Sequence, residues 1–204
     1  MKKTEFTKTA IINSTVKLLK ANGKVTIKEI SDDAGVNIAA INYHFTDKKS
    51  LIYVVIRRTI SDFKKIADNL VASLAELNTH PEETISAFFN ACHEYCAENI
   101  NVINFMLAPE NVEYNNYFNK TVSQMFSTDS DLCFKVISYM RATSAASDNE
   151  LKARYLVLLS TFLTPFFSTF NILNGNHFGQ IFNLNDQEFK KLYIEQIVRI
   201  IKSK

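Results

Sequence analysis

The side chains best suited to chemistry lie in one stretch of the chain, ISDDAGVNIAAINYHFTDKKSL at residues 30–51. Five of them fall on the outward face of one predicted short helix: Ala39, Ala40, Asn42, Tyr43 and His44. Alanine permits a close approach and can contact a thymine methyl group, and an asparagine amide can pair with adenine. Tyrosine and histidine can bond to phosphates or base edges. This combination predicts a helix that contacts the major groove of double-stranded DNA.

Two lysines, Lys48 and Lys49, follow in the first turn of the next predicted helix, which Thr46 or Asp47 would cap. The free N–H groups of a first turn favour an anion such as a phosphate. Cations in that turn oppose the helix macrodipole, so their presence needs a reason. We interpret them as candidate phosphate contacts, with simple solvation as the alternative.

Two further helices are predicted before the helix that would contact DNA. Apolar residues spaced by three or four predict a first helix over about residues 4–22, ended by Gly23. Thr26 and Glu29 form a capping box that begins a second helix at residues 27–34.

The third helix, residues 38–45, follows Gly35 after a short turn and is capped by Asn37. Two helices of about eight residues bury little area, so they need the first helix as a cover. Their predicted inward face consists of Ile27, Ile30, Ala34, Val36, Ile41 and Phe45. The arrangement is that of a helix-turn-helix.

Composition indicates an all-α protein. Only 4 glycines and 3 prolines interrupt 204 residues, which favours long helices and few turns. Residues 1–60 carry 11 Lys/Arg against 5 Asp/Glu, whereas residues 61–204 carry 12 against 16. An anionic partner is therefore expected for the first segment only, with a chance excess of surface lysines as the alternative.

No apolar signal segment follows the first residues, and three cysteines make an odd count, so we expect a reduced, cytoplasmic compartment. The uncharged stretch at residues 155–173 approaches the length of a membrane span. Its Ser, Thr and Asn residues and Pro165 dilute its apolar character, which favours a core or subunit-interface helix over a membrane segment.

The stretch T…AIINSTVKLLKANG…VTIKEISDDAGVNIAAINYHFTDKKSL, about residues 9–51, resembles the DNA-binding domain of the tetracycline-repressor (TetR) family of bacterial transcription regulators. The resemblance implies that the DNA-facing positions are Thr26, Ala39, Ala40, Asn42, Tyr43, His44 and Lys48, with Tyr43 and Lys48 mainly as phosphate contacts. Asn42 stands where tyrosine is frequent in the family, and Lys49 where glutamate is. No operator sequence can therefore be transferred from the family.

The resemblance also implies two domains: a helix-turn-helix DNA-binding domain at residues 1–46 and a helical effector-binding and dimerisation domain at residues 47–204. A long helix without Gly or Pro, from residue 48 to about 77, would join them. Further helices are expected at residues 81–98, 101–107, 113–126, 131–142 and 186–202. In the family two C-terminal helices of each subunit form the dimer interface, which here implies residues 149–173 and 186–202.

Aromatic residues concentrate in the second domain, and most are expected to be ordinary core. A minority are candidates for lining a cavity for an apolar or aromatic effector: Phe89, Phe105, Tyr117, Phe166 and Phe170.

Other chemistry finds little support. Cys92 and Cys96 lie four residues apart, but no second pair completes a zinc site, so we expect neither a metal nor a cofactor. Motifs of nucleotide binding and metal-dependent hydrolysis are absent from the sequence. The leading hypothesis is a ligand-responsive transcriptional regulator, with repression as its favoured action, that binds a palindromic operator as a homodimer and is released by a small apolar or aromatic effector. The alternatives are a helical small-molecule-binding protein or enzyme with an incidental basic N-terminus, and a membrane-associated helical protein.

Overall fold

A computed structural model describes residues 2–169 and 186–202. As predicted, the described chain is all-α, and no strand occurs within these ranges. Its helices are α1 (Lys2–Asn22), α2 (Ile27–Ala34), α3 (Ile38–His44), α4 (Lys48–Ala72), α5 (Pro81–Leu107), α6 (Val112–Phe126), α7 (Asp131–Thr143), α8 (Asp148–Thr169) and α9 (Gln187–Lys202). Short 3₁₀ turns lie at Leu74–Asn78 and Pro109–Asn111.

The chain divides into two compact units that do not follow its linear order. Unit 1 contains Met1–Asp62 and Glu98–Lys120, and unit 2 contains Phe63–Ala97 and Thr121–Lys204. The end of α5 and the first part of α6 thus belong to the same unit as the three N-terminal helices.

In unit 1, α1 contacts both α2 and α3, which also contact each other. The predicted inward residues Ile30, Ile41 and Phe45 are buried, as are Ile11 and Leu19 of α1. Helices as short as α2 and α3 are not stable alone, and burial of these side chains against α1 stabilises them.

Unit 2 is built around α7, α8 and α9, each of which contacts the other two. Its core contains Phe89 from α5, Met140, Leu151 and two isoleucines of α9, Ile194 and Ile197. Among the described residues, no helix is long and apolar enough to cross a bilayer.

Two predicted helix assignments were wrong. The helix that begins at residue 48 ends at Ala72, and a 3₁₀ turn replaces its expected last turns. The helices expected at residues 81–98 and 101–107 form one continuous helix, α5, because no Gly or Pro interrupts it before Pro109. At the start of α9, Asp186 Oδ1 accepts the backbone N–H groups of Glu188 and Phe189 at 2.9 and 3.1 Å. The sequence also predicts a capping box of Asn185 with Glu188 and a hydrophobic staple of Leu184 with Phe189, but Leu184 and Asn185 lie outside the described residues.

Candidate nucleic-acid interface

The start of α2 is fixed by the predicted capping box. The Glu29 N–H donates to Thr26 Oγ1 at 3.2 Å, and the Thr26 N–H donates to Glu29 Oε2 at 2.7 Å. The Thr26 hydroxyl also donates to Glu29 Oε2 at 2.8 Å. These bonds from Thr26 lower the pKa of Glu29, with a smaller contribution from the charges of Lys24 and Lys48. Thr26 is exposed, but its hydroxyl is already committed to the cap.

The turn between α2 and α3 depends on a left-handed residue. Gly35 has φ of 64°, which favours glycine, although an added Cβ would meet no atom within 4 Å. The Val36 N–H donates to Ser31 O at 3.1 Å, and the Ser31 hydroxyl donates to Val36 O at 2.5 Å. These two bonds fix the direction in which the chain enters α3.

Helix α3 separates a buried side from an exposed one. Asn37 Oδ1 accepts the Ala40 N–H at 2.7 Å and caps the helix, as predicted. Ala39, Asn42 and Tyr43 are exposed, and their spacing of three and four places them on one helical face. The Tyr43 side chain is 80% exposed.

Ala40 and His44, four residues apart, are half-buried at the margin of this face. The His44 ring meets the Tyr43 ring edge-on at 5.2 Å between centroids and lies 6.4 Å from the Phe45 ring. Ile38, which sequence reasoning did not select, is 46% exposed at the first position of the helix. Its spacing of four from Asn42 is the signal that could have found it.

The two lysines at the start of α4 have different surroundings. Asp47, rather than Thr46, caps the helix by accepting the Ser50 N–H at 2.7 Å, and bonds from Ser50 lower the Asp47 pKa. Lys49 forms an ion pair with Glu113 of α6, and its hydrogen bond to that carboxylate raises the Lys49 pKa. Lys48 is exposed and has no ion-pair partner within the described parts of the chain. The structure therefore separates two lysines that share the first turn of α4: Lys49 is paired with Glu113, whereas Lys48 is unpaired within the described residues.

Unit 2 contains an apolar cavity of about 80 Å³. Its aromatic walls come from α4 to α8: Phe63, Phe88, Phe126, Tyr139, Tyr155 and Phe162. No charged side chain is found among its described lining residues.

The polar groups of these walls are neutral or already bonded. The Tyr139 hydroxyl donates to Asn78 Oδ1 at 2.9 Å, and the Tyr155 hydroxyl donates to Phe126 O at 3.2 Å. Burial raises the pKa of Cys92, in the cavity wall, to about 12 and that of Cys96 to about 11. Both are free thiols, and the described residues contain no cluster of three or more His, Cys, Asp or Glu able to hold a metal ion.

The five predicted effector residues are not brought together. Phe89 is fully buried in the core of unit 2 and is not among the described cavity-lining residues, whereas Phe105 and Tyr117 are half-buried in unit 1. The side chain of Phe166 and the whole of Phe170 lie outside the described residues.

Helices α1 to α3, with a capped α3 whose outer face is exposed, have the architecture of a helix-turn-helix DNA-binding protein. Residues 11–53 match the family model described as bacterial regulatory proteins, tetR family. This segment runs from α1 into the start of α4 and includes both α2 and α3. The match supports a DNA-binding transcriptional regulator whose N-terminal helices resemble the DNA-binding domain of tetR-family proteins. No curated protein matches the chain.

Proposed function

We propose that the protein is a ligand-responsive repressor that binds a palindromic operator as a homodimer and is released by a small apolar or aromatic effector. One observation carries the DNA-binding part of the proposal. The side chains of α3 that play no part in the buried core, Ala39, Asn42 and Tyr43, form one exposed face immediately before the exposed Lys48.

Each exposed group suits a particular part of DNA. The Asn42 amide fits an adenine edge, and Ala39 and Ala40 fit thymine methyl groups, as does the neighbouring Ile38. Tyr43, His44 and Lys48 suit phosphates or base edges, and Thr26 would place the start of α2 against the backbone. A regulator with these contacts acts where the chromosome is, and we assign it to the cytoplasm.

Salt dependence tests this assignment. Each phosphate contact contributes about 0.9 to the slope of log affinity against log salt for duplex DNA. Lys48→Ala should reduce that slope by about 0.9 per subunit and weaken binding to all sequences alike. Lys135→Ala, at an exposed position of α7 in unit 2, removes the same charge and should leave the slope unchanged. A wild-type protein whose duplex affinity does not depend on salt would overturn the proposal.

The exposed apolar residues of α8 and α9 support the homodimer. Leu156 and Val157 of α8 are 65% and 47% exposed, and Leu192 of α9 is 51% exposed. The two helices contact each other, and the Tyr193 hydroxyl donates to Thr161 O at 2.5 Å. Exposed apolar side chains on two contacting helices favour burial against a second copy of the same surface.

Sedimentation velocity tests whether the exposed apolar residues of α8 and α9 form the dimer interface. Leu192→Glu should convert the dimer to a monomer, because it would bury two unpaired carboxylates at the interface. Phe134→Glu, at a 68% exposed position of α7, should leave the dimer intact. Equal behaviour of both variants would argue against α9 as the interface.

We place the effector in the apolar cavity and keep residues 47–204 as the effector-binding and dimerisation domain, with residues 1–46 as the DNA-binding domain. An uncharged ligand suits walls without charge, since a buried ion would lose its hydration without compensation. Toluene should raise the melting temperature, whereas benzoate, in which a carboxylate replaces the methyl group, should not. Equal shifts from both ligands would contradict this site.

A further inference from the structure

The end of α5 is fastened to the end of α1 within unit 1. The Asn101 side-chain amide donates to Lys20 O at 2.8 Å and to Ala21 O at 3.4 Å. The last carbonyl groups of a helix have no intrahelical donor, and the Asn101 amide supplies a donor to two of those of α1. Asn101 Cβ would also lie 3.9 Å from a Cβ at Gly23, the residue that ends α1.

Helix α6 packs against α4 through aromatic side chains. The Tyr53 ring meets the rings of Tyr114 and Tyr117 edge-on, with centroids 5.4 and 5.2 Å apart and interplanar angles of 75° and 76°. Edge-to-face pairs at this separation are favourable. They hold the N-terminal turns of α6 beside those of α4, the helix that begins with the two lysines.

Next to these tyrosine rings, the Glu113 carboxylate forms an ion pair with the Lys49 ammonium. The two side chains are 48% and 63% exposed, so both charged tips lie at the surface of the unit. Lys49 is the cation that the macrodipole disfavours in the first turn of α4, and Glu113 is an anion in the first turn of α6, where it is favoured. The pair therefore supplies the counter-charge that the sequence leaves unexplained.

We infer that Glu113 is a positioning residue of the DNA-binding surface: it keeps the Lys49 ammonium from the DNA backbone, so that Lys48 is the phosphate ligand of the first turn of α4. This inference rests on the proposed DNA contacts of α3 and α4. Breaking the pair leaves α6 in place through the tyrosine rings and frees a second lysine beside the first. Duplex affinity then rises, for all sequences alike, and becomes more dependent on salt.

Glu113→Gln tests the inference, because glutamine keeps the size of the side chain and removes its charge. The slope of log affinity against log salt should steepen by about 0.9 per subunit, the contribution of one phosphate contact. Glu110→Gln is the matched control. Glu110 is exposed in the turn before α6, makes no ion pair in the described chain, and loses the same charge on substitution. Its slope should stay at the wild-type value.

Substitution of Lys49 tests whether this lysine causes the steeper salt slope of Glu113→Gln. Lys49→Ala in the wild-type background should leave the salt slope unaltered, whereas Lys49→Ala combined with Glu113→Gln should return the steeper slope to the wild-type value. Circular dichroism melting of each variant establishes that the compared proteins are folded. The salt slopes are compared only between variants that remain folded over the whole range of salt concentrations.

An unchanged slope in Glu113→Gln would overturn the inference, as would a slope in Lys49→Ala as shallow as that of Lys48→Ala. An equal increase in Glu110→Gln and Glu113→Gln would also overturn it, because net charge alone would then explain the effect. Failure of the proposed function has a different outcome, in which wild-type protein shows no salt-dependent binding at all.

Discussion

The exposed face of α3 and the cavity walls of unit 2 differ in how much their side chains contribute to the stability of the fold. On α3, Asn42 and Tyr43 point to solvent while Ile41 beside them fills the core. In the cavity, side chains such as Leu158 both line the space and belong to the buried core. The exposed residues of α3 can therefore change without loss of the fold, whereas cavity residues cannot change without a cost in stability.

Removing one side chain from each region should give the largest contrast. Leu158→Ala should lower the free energy of unfolding by about 2–5 kcal/mol, as for other buried leucines. Asn42→Ala, at an exposed position, should change it by less than about 0.5 kcal/mol. Urea denaturation followed by circular dichroism measures both. Comparable losses in the two variants would remove the distinction between the regions.

The turn before α3 provides a second, smaller effect. Gly35→Ala should cost about 1–2 kcal/mol, because a Cβ at a left-handed residue is strained even where space is open. The same urea titration measures the loss. A neutral substitution would mean that the turn relaxes to another conformation, in which case the direction of α3 is not fixed by Gly35.

The capping box provides the smallest effect. Thr26→Ala should cost about 1 kcal/mol, the usual loss for an N-cap threonine. Because the folded pKa of Glu29 lies below its ordinary value of 4.5, its contribution is present above that pH and is lost as pH falls through the folded pKa. Unfolding titrations at neutral and at acidic pH should show the wild-type advantage over Thr26→Ala shrinking in acid. An advantage independent of pH would exclude Glu29 from the cap.

Local spacing explains what the sequence predicts well. The caps at Thr26 and Asn37 and the turn at Gly35 depend on residues three or four positions apart, and all three are present in the structure. The exposed face of α3 follows from the same short-range geometry, because buried Ile41 fixes the orientation of its neighbours.

Long-range contacts explain what the sequence does not predict. The cavity combines Phe63, Phe126 and Phe162, which come from α4, α6 and α8, and helical periodicity cannot distinguish them from ordinary core residues such as Phe89. The pairing of Lys49 with Glu113 likewise needs α6 beside α4. No local pattern in the sequence indicates that neighbourhood.

The central claim is that α3 reads DNA, and selection of bound duplexes from a random pool tests it most directly. The wild-type protein should enrich an inverted repeat whose half-sites lie about one helical turn, or a multiple of it, apart. Asn42→Ala should relax the preference at one position of each half-site, by about 1–3 kcal/mol of discrimination. Enrichment of no common sequence, or an unchanged preference in Asn42→Ala, would contradict the account.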